Sequence, residues 1–262
     1  MNKLGLNIEI SVIIPYFNAS DVIVRALDSL IHQTLLPKEV IIIDDNSSIV
    51  HELEFLRKMS STFPFDLIIL KHDKNMGAAA ARNTGIKASN YNLIAFLDAD
   101  DCWVETKLEI QSKFIADYDL LYSNYKELEV QVAKRKLQQP KTIKFRNILR
   151  KNLSPVTLMA KKSSFILFDE RFRRCDDFKM SIETLILNRK IGFLNQDLAF
   201  GYKRAIGGSG LTGSLTKMSL SFLKACVYIM LEYPKSAIRI LPFILLELIK
   251  FPFRCLKVFI LN

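Results

Sequence analysis

At 262 residues the chain is long enough for one large α/β domain with an extension. Half the residues are hydrophobic and 24% are charged, which excludes global disorder. The net charge of +10 calls for a negatively charged partner: nucleic acid, an anionic membrane or phosphorylated ligands. Cys102, Cys175, Cys226 and Cys255 form no CxxC pair, and His32, His51 and His72 lack metal-ligand spacing. Free thiols in a reducing compartment are expected, with neither a disulfide framework nor a zinc site. The N-terminal residues have no signal-peptide pattern, and no run of about 18 uncharged apolar residues occurs. The expectation is a cytoplasmic protein with no membrane span.

In chain order, short apolar runs at Glu9–Pro15, Glu39–Asp44, Asp66–Lys71, Asn92–Asp98 and Asp119–Asn124 read as buried parallel strands. Ser20–Thr34 reads as a helix with Val24, Leu27, Leu30 and Ile31 on one face and Ser20 as N-cap. Gly77–Ser89 and Glu105–Asp117 read as further helices. This βαβ alternation predicts a doubly wound sheet whose ligands bind beyond the carboxyl ends of the strands. Three strands end in Pro15–Asn18, Asp44–Asn46 and Asp98–Asp101, so one site forms at one edge.

Between Glu129 and Asp169 no acidic residue occurs, while ten cations do, among them Lys134, Arg135, Lys144, Arg146, Lys161 and Lys162. Taken alone, that stretch is a solvated basic loop. After Asp169 come FRRCDDFKM, a helix-like stretch to Arg189, an apolar strand-like turn and YKRAIGGSGLTGS. From about Thr216 the chain is apolar and basic, broken by Pro234, Pro242 and Pro252.

LIAFLDADDCW is the sharpest local signal. Alternation along an extended backbone puts Asp98 and Asp100 on the same side. Two carboxylates there suit a hard cation, Mn²⁺ or Mg²⁺, bridging diphosphate oxygens. The alternative is an acidic turn with Asp101 capping a helix that begins near Trp103, and both can hold together. In EVIIIDDNSS, Asp44 and Asp45 either accept hydrogen bonds from a base or ribose or simply end a solvated strand. In KNMGAAAARNTGI, Gly77 and the alanines allow close backbone approach, and Arg82 is a cation within reach of phosphate or base, although such a stretch is more often a tightly packed helix.

The ordered set SVIIPYFN, LIHQT, VIIIDDNSS, NMGAAAARNTGI and LIAFLDADDCW resembles the family 2 glycosyltransferases with the GT-A fold. The resemblance continues through SPVTLMAKKSSF, FDERFRRCDDFKM and GFLNQDLAFGYKR, covering roughly residues 8–210. It implies an inverting transfer of a sugar from a nucleotide diphosphate donor, UDP-linked by expectation, to an acceptor hydroxyl. It also implies that Pro15, Tyr16, Asn18, Asp45 and Arg82 line the nucleotide pocket, with Asp45 meeting the base. Asp100 is then the direct metal ligand, with Asp98 near ribose and metal and Ala99 between them. Where the family carries a Glu-Asp pair this chain has Asp176-Asp177, making Asp177 the candidate base and Asp176 the runner-up. Tyr202, Lys203 and Arg204 with the glycines after them are implied to be a loop over the diphosphate or the acceptor.

The implied organisation is a catalytic domain over 1–215, with a nucleotide-binding half at 1–125 and an acceptor-binding half at 126–215. A helical, membrane-associating extension follows at 216–262. There Lys217, Lys224, Lys235, Arg239, Lys250, Arg254 and Lys257 stand against only Glu232 and Glu247. On a helical wheel Lys235, Arg239, Lys250, Arg254 and Lys257 make a basic stripe with Glu247 beside it, and the rest is apolar: Ile238, Leu241, Phe243, Leu245, Leu248, Phe251 and Phe259. Either these helices pack on the catalytic domain or they lie on an anionic membrane surface, and the second is the expectation. A lipid-linked saccharide acceptor of the bacterial surface-polysaccharide type would then be used at the inner membrane face.

The literal GxGxxG at Gly208–Gly213 follows a poor strand, which disfavours a dinucleotide site. A sugar nucleotidyltransferase should carry a glycine-rich basic loop where this chain reads PYFNASD. No recognition motif supports nucleic-acid binding. A catalytically silent membrane scaffold is the alternative from another class, disfavoured by the intact DxD and acidic pair.

Overall fold

A computed structural model of the chain describes residues 8–48, 51–127, 136–151, 153–201 and 215–261. Lys134, Arg135, Tyr202, Lys203, Arg204 and the Gly208–Gly213 motif lie outside the described residues.

The nucleotide half alternates as the apolar runs require. Strands β1 (Ile10–Tyr16), β2 (Glu39–Asp44), β3 (Asp66–Lys71) and β4 (Leu93–Phe96) are joined by helices α1 (Ser20–Ile31), α2 (His51–Lys58) and α3 (Ala78–Ala88). They pair in parallel in the order β3-β2-β1-β4. β1 and β2 are buried almost throughout, as strands covered on both faces must be. β3 is an edge strand and only half-buried, short of the full burial expected for it.

The second half continues the same sheet less regularly. After β5 (Asp101–Trp103), α4 (Lys107–Ser112), β6 (Leu120–Glu127) and β7 (Lys141–Thr142), the chain adds β8 (Met159–Lys161) and β9 (Ile191–Gly201). β8 runs antiparallel between β4 and β6, β9 lies parallel to β6, and β5 and β7 pair antiparallel with β9. Helix α5 (Asp176–Ile186) precedes β9, and α6 (Leu215–Glu232) and α7 (Ala237–Leu261) follow it.

Several expectations need correcting. In α1 the buried residues are Ile23, Ala26, Leu27 and Leu30, while Val24 and Ile31 are exposed. The apolar stripe is rotated from the expected one because this is the face that lies toward β5, where Ser29 Oγ accepts the Trp103 N–H. Ser20 is the first helical residue, preceded by Ala19, and makes no side-chain cap bond. Asp101 caps no helix: it starts β5 opposite Gly201, and the expected Glu105–Asp117 helix is only α4 plus a 3-10 turn at Ile115–Asp117. Phe243 is buried in the core instead of facing outward.

Two apolar layers cover the sheet. One includes α1, Trp103 and Val156. The other joins α3 and α5 to Cys226, Ile229, Ile240 and Phe243 of the C-terminal helices. Phe178 of α5 sits 4.6 Å from Phe222 and 6.1 Å from Phe243 between ring centroids, so α6 and α7 pack on α5. Among the described residues no helix is long and apolar enough to cross a membrane.

Candidate active site

At the carboxyl end of β1 the chain passes through Tyr16, Phe17 and Asn18. Tyr16 is still within the strand and turned into the core, 1% exposed, so its ring cannot stack on a ligand. Phe17, missed by the sequence reading, is 50% exposed and presents its ring instead. Asn18 takes a left-handed φ of 47°, which asparagine tolerates. Its N–H donates to Ser47 Oγ (2.9 Å), and its Oδ1 accepts from Ser48 N–H (3.0 Å), tying the loop after β1 to the loop after β2. Pro15 is half-buried in β1.

Asp45 closes a second loop. Its carboxylate accepts the N–H groups of Met76 (2.7 Å) and Gly77 (2.6 Å) and lies 2.8 Å from His72 Nδ1. His72 Nε2 in turn meets Thr84 Oγ1 at 2.9 Å. One lone pair of Oδ2 is thus left for a ligand donor, and much of the work of Asp45 is to hold the start of α3. Gly77 there has φ 96°, a left-handed conformation that favours glycine, and the Arg173 guanidinium lies against it, 2.4 Å from where a Cβ would stand. Arg173 Nη1 donates to Asn75 Oδ1 (2.9 Å), docking the segment before the acidic pair onto the same loop.

Arg82 lies one turn into α3, buried beneath Phe168, and joins the two acidic motifs. Its Nη2 donates to Asp98 Oδ1 at 2.7 Å, and its Nη1 stands 3.5 Å from Asp176 Oδ2. Burial works against the Arg82 charge, but Asp98 and Asp176 outweigh it and raise its pKa. The turn after β4 brings Asp98, Asp100 and Asp101 beside Tyr125 of β6, whose hydroxyl donates to Asp101 Oδ1 (2.9 Å). Burial and those three carboxylates raise the Tyr125 pKa, so the phenol stays protonated as a donor. Ala99 is buried in the core, only 6% exposed.

Asp176 and Asp177 open α5, behind Cys175 in a left-handed conformation of φ 62°. Asp177 Oδ1 accepts the Phe178 N–H at 2.7 Å. Burial first, and the neighbouring Asp176 second, push its pKa up to about 7. Burial likewise raises the pKa of Asp176, against the pull of Arg82. The N-terminal residues of α5 thus hold two carboxylates of different burden, one paired with Arg82 and one poised to take a proton near neutrality.

A cation fits the Asp98–Asp100 turn. The ligands offered are hard oxygens, and Arg82 engages only one oxygen of Asp98. Among the described residues no group of three or more His, Cys, Asp or Glu converges on one point, so the protein would contribute few ligands and leave the rest to a diphosphate and water, as Mg²⁺ sites commonly do. A surface depression of about 640 Å³ opens at the other edge of the sheet, lined by Lys38, Ser61, Phe63, Phe65 and Asp66, and contains none of these groups.

A parallel β3-β2-β1-β4 sheet, with carboxylates gathered at its carboxyl edge and an antiparallel continuation, is the GT-A architecture. Residues 11–174 match the family described as glycosyl transferase family 2, and the chain belongs to that family. Among its relatives, the amylovoran biosynthesis glycosyltransferase AmsB of Erwinia amylovora is 27% identical over 84% of this chain and 78% of its own. The Escherichia coli UDP-Glc:alpha-D-GlcNAc-diphosphoundecaprenol beta-1,3-glucosyltransferase WfgD is 31% identical over 54% of this chain and 55% of its own. An uncharacterized glycosyltransferase of Rickettsia bellii is 38% identical over 44% of this chain but only 16% of its own length. The chain thus spans about half or less of several curated relatives. S. aureus TarS 1-349, solved in complex with UDP-GlcNAc, superposes with a TM-score of 0.68 at 22% identity, covering 85% of this chain and 67% of that one.

Proposed function

We propose that the chain is an inverting, metal-dependent glycosyltransferase that moves a sugar from a UDP-linked donor to a hydroxyl of a lipid-linked saccharide in bacterial surface-polysaccharide synthesis. The observation that carries this reading is the Arg82 bridge, which holds the Asp98–Asp100 turn and the Asp176–Asp177 pair on one side of the sheet.

In this reading the exposed Phe17 ring offers a stacking face to the base, and Asp45 accepts one of its N–H groups through the remaining lone pair. Asp100, with the second oxygen of Asp98, would hold Mn²⁺ or Mg²⁺. When bound, the cation neutralises charge on the diphosphate. Asp177 takes the proton of the acceptor hydroxyl as its oxygen bonds to the anomeric carbon. The bond from that carbon to the diphosphate breaks, and UDP leaves with the electron pair. Asp176 is held by Arg82 and positions its neighbour. One displacement inverts the anomeric centre, and inversion of an α-linked UDP-glucose gives a β linkage, the linkage made by the relative WfgD, a beta-1,3-glucosyltransferase. The acceptor class follows the same relative, which acts on a GlcNAc carried on diphosphoundecaprenol. Because sugar nucleotides are made in the cytoplasm, the reading has the protein act at the inner face of the cell membrane.

The deciding experiment offers the protein a panel of UDP-, GDP- and dTDP-sugars with Mn²⁺ and a GlcNAc-diphospho-lipid, followed by NMR of the product. A β-linked product from an α-linked UDP-sugar supports the reading; an α-linked product rejects inversion. Phe17→Ala is expected to weaken UDP binding roughly tenfold, as loss of one base–aromatic stack does, while Tyr16→Phe should leave it unchanged. Isothermal titration with UDP checks both.

A further inference from the structure

The last helix, α7, is apolar on two sides. Its inner side carries Ile240 and Phe243 into the core, together with Glu247, which accepts from Ser219 Oγ at 2.6 Å and is bonded by Arg254. On the other side Ile238, Leu241, Leu245, Leu248 and Phe253 are exposed, Leu245 by 52% and Phe253 by 69%. Their spacing keeps them in one stripe, roughly 22 Å long at the rise of an α-helix. Val227 and Leu231 of α6 are exposed as well. A helix that packs on its own domain needs one apolar stripe, and a second implies a second partner.

Charge identifies that partner. Arg239 and Lys250 are exposed beside the apolar stripe. The Arg239 guanidinium lies 5.7 Å from the Phe145 ring centroid, which brings the exposed Lys144 and Arg146 to the start of the same helix. The acidic residue among the described side chains of α7, Glu247, is turned inward and already bonded. A second copy of a chain with net charge +10 would bring like charges together along these margins. An anionic bilayer surface meets both features, with apolar side chains entering the acyl boundary and cations at the headgroups.

We infer that the exposed stripe Ile238–Leu241–Leu245–Leu248–Phe253 of α7, flanked by Arg239, Lys250, Lys144 and Arg146, is a docking face for an anionic lipid bilayer, on which α7 lies in the plane of the surface. The inner side of α7 is linked to the site through α6: Cys175, which precedes the acidic pair, has its Sγ 3.9 Å from the Met218 carbonyl of α6, and the adjacent Ser219 bonds Glu247 of α7. The docking surface stands independently of the transfer reading.

Co-sedimentation of the full chain with phosphatidylcholine vesicles, with and without about one third phosphatidylglycerol, tests it. Binding is expected with the anionic vesicles, at least about tenfold weaker with the neutral ones or in about 0.5 M salt. L245E/L248E should lose more than about tenfold of that binding, because two apolar anchors become charges. That variant should keep its thermal midpoint and its turnover of UDP-sugar with a water-soluble acceptor. Absence of wild-type binding to anionic vesicles, or undiminished binding of the double variant, overturns the inference. So does a dimer by light scattering that L245E/L248E splits and vesicles do not compete away. Loss of turnover in Asp100→Ala with vesicle binding intact would show that the two readings stand or fall separately.

Discussion

Asp100→Ala is expected to abolish metal-dependent turnover while the protein stays folded. The choice of Asp100 over Asp98 follows from the ion pairs. Asp98 holds the buried Arg82 at 2.7 Å, so its removal would leave a buried cation with only the more distant Asp176, and breaking such a pair is costly to the fold. Asp100 is half-buried on the same turn, while the acidic partners of Arg82 are Asp98 and Asp176. A bound cation contributes several kcal/mol to stabilising charge on the departing diphosphate, so the loss should be on the order of 10³-fold. Excess chelator should do the same to the wild type, with recovery on adding Mn²⁺. Transfer is followed by UDP release and the fold by circular dichroism and thermal melting. Full activity of the variant, or of the wild type in chelator, removes the metal from the mechanism.

Much of the nucleotide half was legible because the signals there are local. An apolar run of four to seven residues ending in Asp or Pro-Tyr-Phe-Asn shows both the strand and its working end: β2, β3 and β4 lie within the expected runs, and β1 extends one residue past its run to Tyr16. What required the structure was decided by distant partners. Tyr16 and Phe17 are neighbours of equal aromatic character, and which one faces outward depends on where β1 ends and Asn18 turns. Asp101 looks like a helix cap in its own neighbourhood, yet it extends a strand because β9 is there to pair with it. β8 is three residues long and takes its place between β4 and β6 from both neighbours, with no periodicity of its own. Arg82 was a candidate for phosphate, but the sequence carried no sign that it bridges Asp98 and Asp176. The helical wheel of the C-terminal segment showed the cations and the apolar surround, yet it could not distinguish the face of α7 that α5 covers from the face left open.

Asp177→Asn should cost transfer on the order of 10²-fold or more, the usual effect of removing a positioned base, while UDP-sugar affinity persists. The amide keeps the size of the side chain and can still accept the Phe178 N–H, so the start of α5 is undisturbed. Burial and the adjacent Asp176 hold the Asp177 carboxyl at about 7 instead of the ordinary carboxylate range. A base must be deprotonated, so wild-type kcat should rise with pH through about 7 and level off above it. The residual rate of Asp177→Asn should lack that rise. Stability moves in the opposite sense. The folded state keeps a proton on Asp177 at pH values where the unfolded chain has released it, so stability falls as pH rises from the ordinary carboxylate range toward 7. Asn cannot ionise, so Asp177→Asn should flatten that fall and melt higher than the wild type at pH 8, although it is nearly inactive. A merely structural role for Asp177 would instead lower activity and stability together. Asp176→Asn separates the neighbours: it loosens the Arg82 pair, so donor binding and stability should suffer. If Asp176→Asn shows the isolated collapse of kcat and Asp177→Asn does not, the base is Asp176.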